Sequence, residues 1–153
     1  HAVSIARKAG TKISFDLGDS LVVKSSRDQI DAFLSEKIDI LFANEDEARA
    51  LCEGSRDFRP LLRYTDLAVI KLGSEGAVAV TPDGEIRVSA YKVEDVKDTN
   101  GAGDNFQAGF FYGQSKKLNL ETCLKIGHFL AANIIRRIGA QSQVKISGIE
   151  YFI

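Results

Sequence analysis

Apolar and polar positions change period repeatedly along this chain, between the spacing of a helix and that of a strand. Apolar residues at helical spacing predict helices over residues 2–10, from 26 through 34, and over 44–52, 104–112 and 120–138. Continuous or alternating apolar runs predict strands over residues 12–15, 38–42, 67–71, 77–81 and 86–91. Helices and strands in this order are typical of an α/β fold, with a mostly parallel sheet flanked by helices.

Local end signals support several of these boundaries. Ser26 begins a capping-box pattern, and Asn119 is predicted to cap the last helix. Gly10 and Gly139 predict helix ends, because glycine readily takes the left-handed backbone conformation found there. Residues 82–85, Pro-Asp-Gly-Glu, predict a tight turn between the last two strands. We therefore expect an antiparallel hairpin appended to the sheet.

Composition excludes several classes of function. The chain has 20 basic and 21 acidic residues and a formal net charge of −1, so no basic excess indicates nucleic-acid binding. Its longest apolar run is shorter than the roughly 20 residues that span a bilayer, and no signal peptide is visible. Cys52 and Cys123 lack the spacing of a disulfide framework and are expected to be buried thiols. These features predict one domain over residues 1–153 of a cytoplasmic protein, without nucleic-acid or membrane partners.

The most informative segment is a glycine-rich turn followed by a helix, here called the glycine turn (residues 98–104). It reads Asp98-Thr99-Asn100-Gly101-Ala102-Gly103-Asp104. Such a turn leaves the amides of Ala102, Gly103 and Asp104 available at a helix start, where the helix dipole favours an anion. Amides of this kind stabilise the negative charge of a phosphoryl group during its transfer.

Asp104 is unexpected in a turn that binds phosphate, because its carboxylate would repel the anion. General-base catalysis resolves the conflict if the amides face the phosphate while the carboxylate faces an acceptor hydroxyl. Alternatively, Asp104 only caps or charges the helix start. Two common phosphate loops are excluded. A P-loop needs Lys followed by Ser or Thr where Asp104 and Asn105 stand, and a dinucleotide-binding loop needs a small residue at Phe106.

Four segments together resemble the pfkB, or ribokinase, family of carbohydrate kinases. The glycine turn is similar to the family's D-T-x-G-A-G-D signature. Asn44-Glu45-Asp46-Glu47 resembles its N-x-x-E element, Lys71-Leu72-Gly73-Ser74-Glu75-Gly76 its nucleotide loop, and residues 131–140 the helix that closes its adenine pocket. Residues 14–51 are most similar to bacterial adenosine-kinase-like sugar kinases. The resemblance covers residues 12–148, but only the C-terminal portion of the family pattern.

The resemblance implies a Rossmann-like ribokinase fold and an ATP-dependent phosphotransferase acting on a hydroxyl of a sugar or nucleoside. Asp104 would be the general base, with the backbone amides of Gly101, Ala102, Gly103 and Asp104 as the anion hole. The implied nucleotide-binding residues are Asn44, Glu47, Lys71, Gly73, Ser74, Gly76 and His128, with ATP and Mg²⁺ as cofactors. Glu47 would hold Mg²⁺ through water. A potassium ion would bind the Asp98 side chain and backbone oxygens of Asn100, Ile134 and Gly139.

Each of these residues also has a purely structural interpretation. Asn44 and Glu47 have the spacing of a capping box, which would leave one Glu47 carboxylate oxygen available to magnesium. The glycines of the nucleotide loop would serve only the turn between two strands. Lys71 would extend its charge to solvent from a strand end. His128 would be a hydrogen-bonded polar group on a mostly buried helix.

The N-terminal part of the family pattern, with most acceptor-binding residues and a small β-sheet lid, has no counterpart in this sequence. We therefore expect weak nucleotide binding and little turnover by the chain alone. We also expect an exposed sheet edge that favours a homodimer. Three alternatives stay open: a non-catalytic nucleotide-binding module, a kinase of a vitamin or cofactor precursor with the same fold, and a purely structural α/β domain.

Overall fold

A computed structural model describes residues 2–141 and 148–152 of the chain. The helices are α1 (Ala2–Lys8), α2 (Ser20–Ser25), α3 (Arg27–Leu34), α4 (Glu45–Leu51), α5 (Ala102–Ser115) and α6 (Leu120–Ile134). The strands are β1 (Ser14–Asp16), β2 (Ile40–Asn44), β3 (Ala68–Lys71), β4 (Ala77–Thr81) and β5 (Gly84–Val88). Short 3₁₀ helices lie at Arg59–Arg63, Gly73–Glu75 and Ile149–Phe152.

The strands form one five-stranded sheet in the order β1-β2-β3-β4-β5. β1, β2 and β3 are parallel, with Ser14 opposite Ile40 and Phe42 opposite Val69. β4 must run antiparallel to both neighbours, because its short links to β3 and β5 cannot hold the crossover of about a dozen residues that a parallel pair needs. A parallel sheet with an appended hairpin confirms the predicted α/β class.

The chain divides into two compact units. Unit 1 comprises His1–Leu72 and Ala79–Glu85, and unit 2 comprises Gly73–Val78 and Ile86–Ile153. The largest fully buried side chains of unit 1 are Phe42, Phe58, Leu34, Leu41, Leu61, Ile70 and Val23, and those of unit 2 are Phe106, Phe110, Leu124, Ile126 and Ile134. Burying one side chain of this kind contributes about 1.5–3 kcal/mol. Each unit therefore has its own apolar core.

In unit 2, α5 and α6 approach closely because glycines lie at their contact. A Cβ at Gly109 would lie 2.7 Å from the Ile126 carbonyl oxygen, and one at Gly127 would lie 2.8 Å from the Phe106 carbonyl oxygen. Any side chain at these positions would push the two helices apart. α5 and α6 thus form one closely packed pair, and the glycine turn ends at the start of α5.

The capping box predicted at Ser26 is wrong. Ser26 makes no side-chain cap hydrogen bond, and its backbone, at φ −118° and ψ 29°, lacks the extended conformation typical of a cap. The reason is α2, a short helix that the apolar spacing did not predict. Ser26 is the residue that follows α2 as its C-cap, and its amide donates to the Val22 carbonyl. Asp19 caps the start of α2 by accepting hydrogen bonds from two backbone amides.

The boundaries of α6 are confirmed at one end and corrected at the other. The Asn119 side chain accepts from the Thr122 amide at 2.8 Å and caps the helix as predicted. α6 ends at Ile134 instead of continuing to residue 138. The Ile135 carbonyl accepts from the amides of Lys97 and Asp98, at 2.8 and 3.3 Å. The carbonyls at the end of a helix have no partner within the helix and can accept from another segment. The bonds from residues 97 and 98 therefore coincide with the early end of α6.

Both cysteines are buried and free, as predicted. Burial raises the pKa of the Cys52 thiol to about 11 and also raises the pKa of Cys123. Both thiols therefore stay protonated at neutral pH, where only a thiolate would be nucleophilic.

Among the residues that the structure describes, no helix is both long enough and apolar enough to cross a membrane.

Candidate functional site

Polar side chains collect at the carboxyl ends of β1, β2 and β3 in unit 1. We call Asp16, Asn44, Glu47 and Lys71 the strand-end cluster. Adjacent parallel strands end at one edge of a sheet, which is where α/β proteins commonly bind ligands. The Lys71 ammonium lies 2.7 Å from an Asp16 carboxylate oxygen, with side chains only 17% and 26% exposed. Lys71 is thus paired within unit 1, and its predicted extension into solvent is wrong.

Asn44 and Glu47 form the capping box predicted from their spacing. The Glu47 amide donates to the Asn44 side chain at 2.9 Å. One Glu47 carboxylate oxygen accepts from the Asn44 amide at 2.8 Å, and the other accepts from the Asn44 side-chain NH₂ at 2.6 Å. Neither oxygen is therefore without a donor, and a magnesium-bound water would have to be a second hydrogen-bond partner of one of them.

Burial governs the charge of Glu47, which is only 2% exposed. Loss of solvation raises the pKa of its carboxyl above the usual value, and the nearby Asp16 carboxylate adds to the rise. The Asn44 amide and the Lys71 ammonium oppose it. The cluster thus keeps a buried acid beside one compensating cation.

The nucleotide-loop residues form a tight turn between β3 and β4. Gly73 and Gly76 have φ values of 59° and 112°, which disfavour side chains, and Ser74 is exposed. A Cβ at Gly76 would lie 1.9 Å from the Val88 carbonyl oxygen. Gly76 is therefore required by close packing against β5 within unit 2, besides any contact with a nucleotide.

His128 lies within α6 and is 7% exposed. Burial lowers the pKa of its imidazole, and the Gly76 backbone opposes the shift. Nε2 has no hydrogen-bond partner among the described residues. The ring also meets Phe106 edge-on, with centroids 5.2 Å apart. The prediction of a hydrogen-bonded histidine is therefore wrong for Nε2, which is buried without a partner among the described residues.

The glycine turn is held to the segment that follows α6. The Asp98 carboxylate accepts from the amide of Asn100 at 2.9 Å and from that of Gly139, 41 residues away, also at 2.9 Å. These two bonds lower the pKa of the Asp98 carboxyl. Asp98 thus connects the start of the turn to residue 139 by a hydrogen bond.

The end of the same turn packs on Ala140. Gly101 has a φ of 74°, and a Cβ there would lie 2.7 Å from the Ala140 carbonyl oxygen. The Asn105 side chain donates to the Gly101 carbonyl at 2.8 Å and to the Ala140 carbonyl at 3.3 Å. Only glycine fits at 101, because a side chain would be both strained and obstructed.

The amides at the start of α5 are mostly available to a ligand. The Ala102 amide donates to the Thr99 carbonyl at 3.2 Å, so the prediction that it is free is wrong. Within residues 2–141 and 148–152, the amides of Gly101, Gly103 and Asp104 have no hydrogen-bond partner. The Asp104 side chain is exposed and has no hydrogen-bond or ion-pair partner in that same part of the chain. Backbone amides that can bind an anion and a carboxylate that can accept a proton therefore lie side by side here.

The residues predicted for potassium come from segments that do meet. Asp98 is bonded to Asn100 and Gly139, as described, but the Ile134 carbonyl accepts from the Arg137 amide at 3.0 Å. Where the structure describes the chain, no group of three or more His, Cys, Asp or Glu side chains could hold a metal ion. A divalent ion bound by the described part of the chain would therefore take most of its ligands from water and phosphate, as Mg²⁺ commonly does.

Sequence reasoning missed two residues that the structure brings to these sites. Asp16 follows a predicted strand, and an acid at the carboxyl end of a strand was the available signal. Asn105 stands directly after the glycine turn, but nothing in its local spacing indicates a bond to residue 140. Its role appears only in three dimensions.

A protein-family model described as pfkB family carbohydrate kinase matches residues 1–146. A 5-dehydro-2-deoxygluconokinase of Bacillus velezensis is 31% identical over 157 residues, which cover 96% of this chain and 47% of the relative. The chain spans about half the length of the curated relatives it matches over most of its own length.

Solved structures that are similar to this chain are also those of kinases. The adenosine kinase from Sinorhizobium meliloti has a TM-score of 0.87 and 37% identity, over 94% of this chain and 45% of that chain. The nucleoside kinase of Methanocaldococcus jannaschii, an archaeal member of the ribokinase family, has a TM-score of 0.74 and 30% identity, over 88% of this chain and 44% of that chain. These similarities confirm the predicted ribokinase-like fold. Together with a family match that includes the strand-end cluster and the glycine turn, they establish that this chain belongs to the pfkB family of carbohydrate kinases.

Proposed function

We propose that this chain is the catalytic part of an ATP-dependent phosphotransferase that phosphorylates a hydroxyl of a sugar or nucleoside. The observation that carries the proposal is the exposed Asp104 carboxylate beside the amides of Gly103 and Asp104, which have no hydrogen-bond partner in the part of the chain that the structure describes. Such a site meets both requirements of phosphoryl transfer, which needs hydrogen-bond donors for the anion and an acceptor for the hydroxyl proton.

Asp104 is the proposed general base. Its carboxylate accepts the proton of the acceptor hydroxyl as the oxygen attacks the γ-phosphorus, and the bond from that phosphorus to the bridging oxygen of ADP breaks. Exposure and the absence of a partner among the described residues support this role, because a base must be reachable by the substrate. A carboxylate confined to helix capping would have accepted a bond from a nearby amide.

The amides of Gly101, Gly103 and Asp104 are the proposed anion hole. They lie at the positive end of α5, a helix of 14 residues, where the dipole stabilises added negative charge. The bonds of Asp98 to the turn fix these donors before a ligand arrives, which lowers the reorganisation that transfer would otherwise require.

The nucleotide-binding residues of the proposal are named for each unit by itself. In unit 1 these are Asn44, Glu47 and Lys71, and in unit 2 they are Gly73, Ser74, Gly76 and His128. Nε2 of His128 supports its assignment, because it has no partner among the described residues and a buried polar atom left in that state is costly unless a ligand or water supplies one.

Mg²⁺ would neutralise charge on the ATP phosphates, with Glu47 as a contact through water. This part of the proposal requires a Glu47 oxygen to accept a second hydrogen bond, since each already accepts one. Potassium would bind near Asp98, Asn100, Ile134 and Gly139, whose segments are hydrogen-bonded to one another.

Sugars and nucleosides are the proposed acceptors because the relatives are named as kinases of both classes. We also propose a cytoplasmic protein, in agreement with two free, buried cysteines. A homodimer through the edge of β1 is proposed because that strand lies at one end of the sheet order.

The test is Asp104→Asn, compared with Asp83→Asn, which changes another exposed aspartate in the β4–β5 turn. ADP release is measured with a panel of sugars and nucleosides after the N-terminal part of the family pattern has been added, because little turnover is expected of this chain alone. ATP·Mg²⁺ affinity is measured by titration calorimetry. We expect Asp104→Asn to lower kcat by about 10²–10⁴-fold, the range for loss of a general base, while nucleotide affinity stays unchanged. The control variant should match the unaltered protein.

Other outcomes identify the alternatives. ATP binding with no turnover on any acceptor, even with the N-terminal part of the family pattern added, would indicate a non-catalytic nucleotide-binding module. Turnover only on a hydroxymethyl pyrimidine or pyridoxal would indicate a vitamin-precursor kinase. Equal turnover by Asp104→Asn and the unaltered protein would overturn the assignment of the base.

A further inference from the structure

Asn105 joins two backbone segments that are distant in sequence. Its side-chain NH₂ donates to the Gly101 carbonyl at 2.8 Å and to the Ala140 carbonyl at 3.3 Å, across 35 residues in the second case. Both partners are carbonyl oxygens, so only the amide nitrogen, with its two hydrogens, can face them. The opposite orientation would place three oxygens together without a proton.

The two bonds act at the tightest point of the glycine turn. A Cβ at Gly101 would lie 2.7 Å from the Ala140 carbonyl oxygen and 2.8 Å from the Ala140 Cβ. On the other side of the turn, Asp98 accepts from the Gly139 amide at 2.9 Å. The turn is therefore held to residues 139–140 at both ends, by an acceptor side chain at 98 and a donor side chain at 105.

We propose that Asn105 is a positioning residue that sets the amides of Gly103 and Asp104 for phosphate binding by fixing Gly101 against Ala140. The inference rests on the proposed function, since it concerns how the anion hole is held. Asn105 acts through backbone carbonyls of the chain itself and needs no contact with substrate.

The link to Ala140, more than the local bond to Gly101, carries this role. Residue 101 is four positions before 105, and a helical side chain can donate to that carbonyl in many proteins without affecting distant segments. Only the bond to Ala140 connects the start of α5 with the segment after α6. A serine at 105 could keep the local bond, because serine commonly donates to the carbonyl four residues earlier, but it is too short to keep both.

Three variants separate these contributions. Asn105→Ala removes both bonds, and Asn105→Ser keeps the local one. Ser115→Ala is the matched control, because it removes a side-chain bond of 2.7 Å to the Tyr112 carbonyl at the other end of the same helix. ATP·Mg²⁺ affinity is measured by calorimetry, melting temperature by circular dichroism, and the ATP-induced shifts of the Gly103 and Asp104 amides by ¹⁵N NMR.

We expect Asn105→Ala and Asn105→Ser each to lose ATP affinity by about fivefold, the equivalent of one neutral hydrogen bond, with smaller ATP-induced amide shifts. Ser115→Ala should bind ATP as the unaltered protein does. A purely structural role would lower the melting temperature and leave the ATP affinity of the folded protein unchanged, and this result would overturn the proposal. Serine behaving like asparagine would overturn the part assigned to Ala140.

Failure of the inference is distinguishable from failure of the proposed function. If the unaltered protein binds ATP and all three variants bind it equally well, Asn105 has no positioning role while the proposed function stands. If the unaltered protein does not bind ATP, the proposed function fails and the role of Asn105 in it fails as well.

Discussion

The strand-end cluster and the glycine turn are both rich in polar groups, yet they differ in how those groups are satisfied. In the strand-end cluster, Lys71 is paired with Asp16, and both carboxylate oxygens of Glu47 accept from Asn44. In the glycine turn, the amides of Gly103 and Asp104 and the Asp104 carboxylate have no partner within the described residues.

The difference separates groups that hold the protein together from groups that are available for chemistry. Buried polar groups are almost always hydrogen-bonded, because an unmet donor or acceptor costs about 1–3 kcal/mol. The strand-end cluster meets this requirement within unit 1. The unpartnered groups of the glycine turn avoid most of the cost through solvent, and a ligand can replace that solvent. We therefore expect mutations in the first region to lower stability more than mutations in the second, although the proposed function gives residues of both regions a part in binding ATP.

The largest stability effect is expected from Lys71→Met. The substitution removes the ammonium that lies 2.7 Å from the partly buried Asp16 carboxylate and opposes the raised pKa of the buried Glu47. The free energy of unfolding should therefore fall by about 1–3 kcal/mol, a value between those of exposed and of fully buried ion pairs. Urea unfolding measures the loss. Lys37→Met is the matched control, because its pair with Asp66 has side chains 53% and 77% exposed and should contribute less than about 1 kcal/mol. An equal loss in both variants would break the comparison.

A smaller, pH-dependent effect is expected at His128. Burial lowers the pKa of its imidazole, so below the unfolded value of 6.5 the unfolded chain takes up a proton that the folded chain does not. The free energy of unfolding should therefore decrease as pH falls below about 6.5, by at most about 1.4 kcal/mol per pH unit from this group.

Urea unfolding of the unaltered protein and of His128→Gln between pH 7.5 and 5.5 isolates that contribution. The difference between the two proteins should change with pH only below about 6.5, because carboxylates contribute equally to both. A constant difference over the whole range would mean that His128 can be protonated in the folded protein as easily as in the unfolded chain.

The smallest stability effect is expected from Asp104→Asn. Because the carboxylate is exposed and unpaired among the described residues, the free energy of unfolding should change by less than about 0.5 kcal/mol. This variant should thus lose activity without losing stability, whereas Lys71→Met should lose stability. A large loss of stability on urea unfolding would show that Asp104 supports the fold, and the two regions would no longer differ.

Much of the fold could be predicted from local patterns. The buried strands, the hairpin turn and the cap at Asn119 follow from apolar runs and residues with strong local preferences. The Ser26 capping box failed because α2, only six residues long, has too few positions for apolar spacing to mark it. The end of α6 was misplaced because its stop coincides with bonds from Lys97 and Asp98, which are distant in sequence.

The sequence by itself determined the α/β order, the family resemblance and the choice of Asp104, because each depends on residue types within a few positions of one another. Only the tertiary structure decided which polar groups are already engaged. Lys71 meets Asp16 across 55 residues, Asp98 meets Gly139 across 41, and Asn105 meets Ala140 across 35. Such pairings depend on how strands and helices are brought together in space, and no local pattern of side chains encodes them.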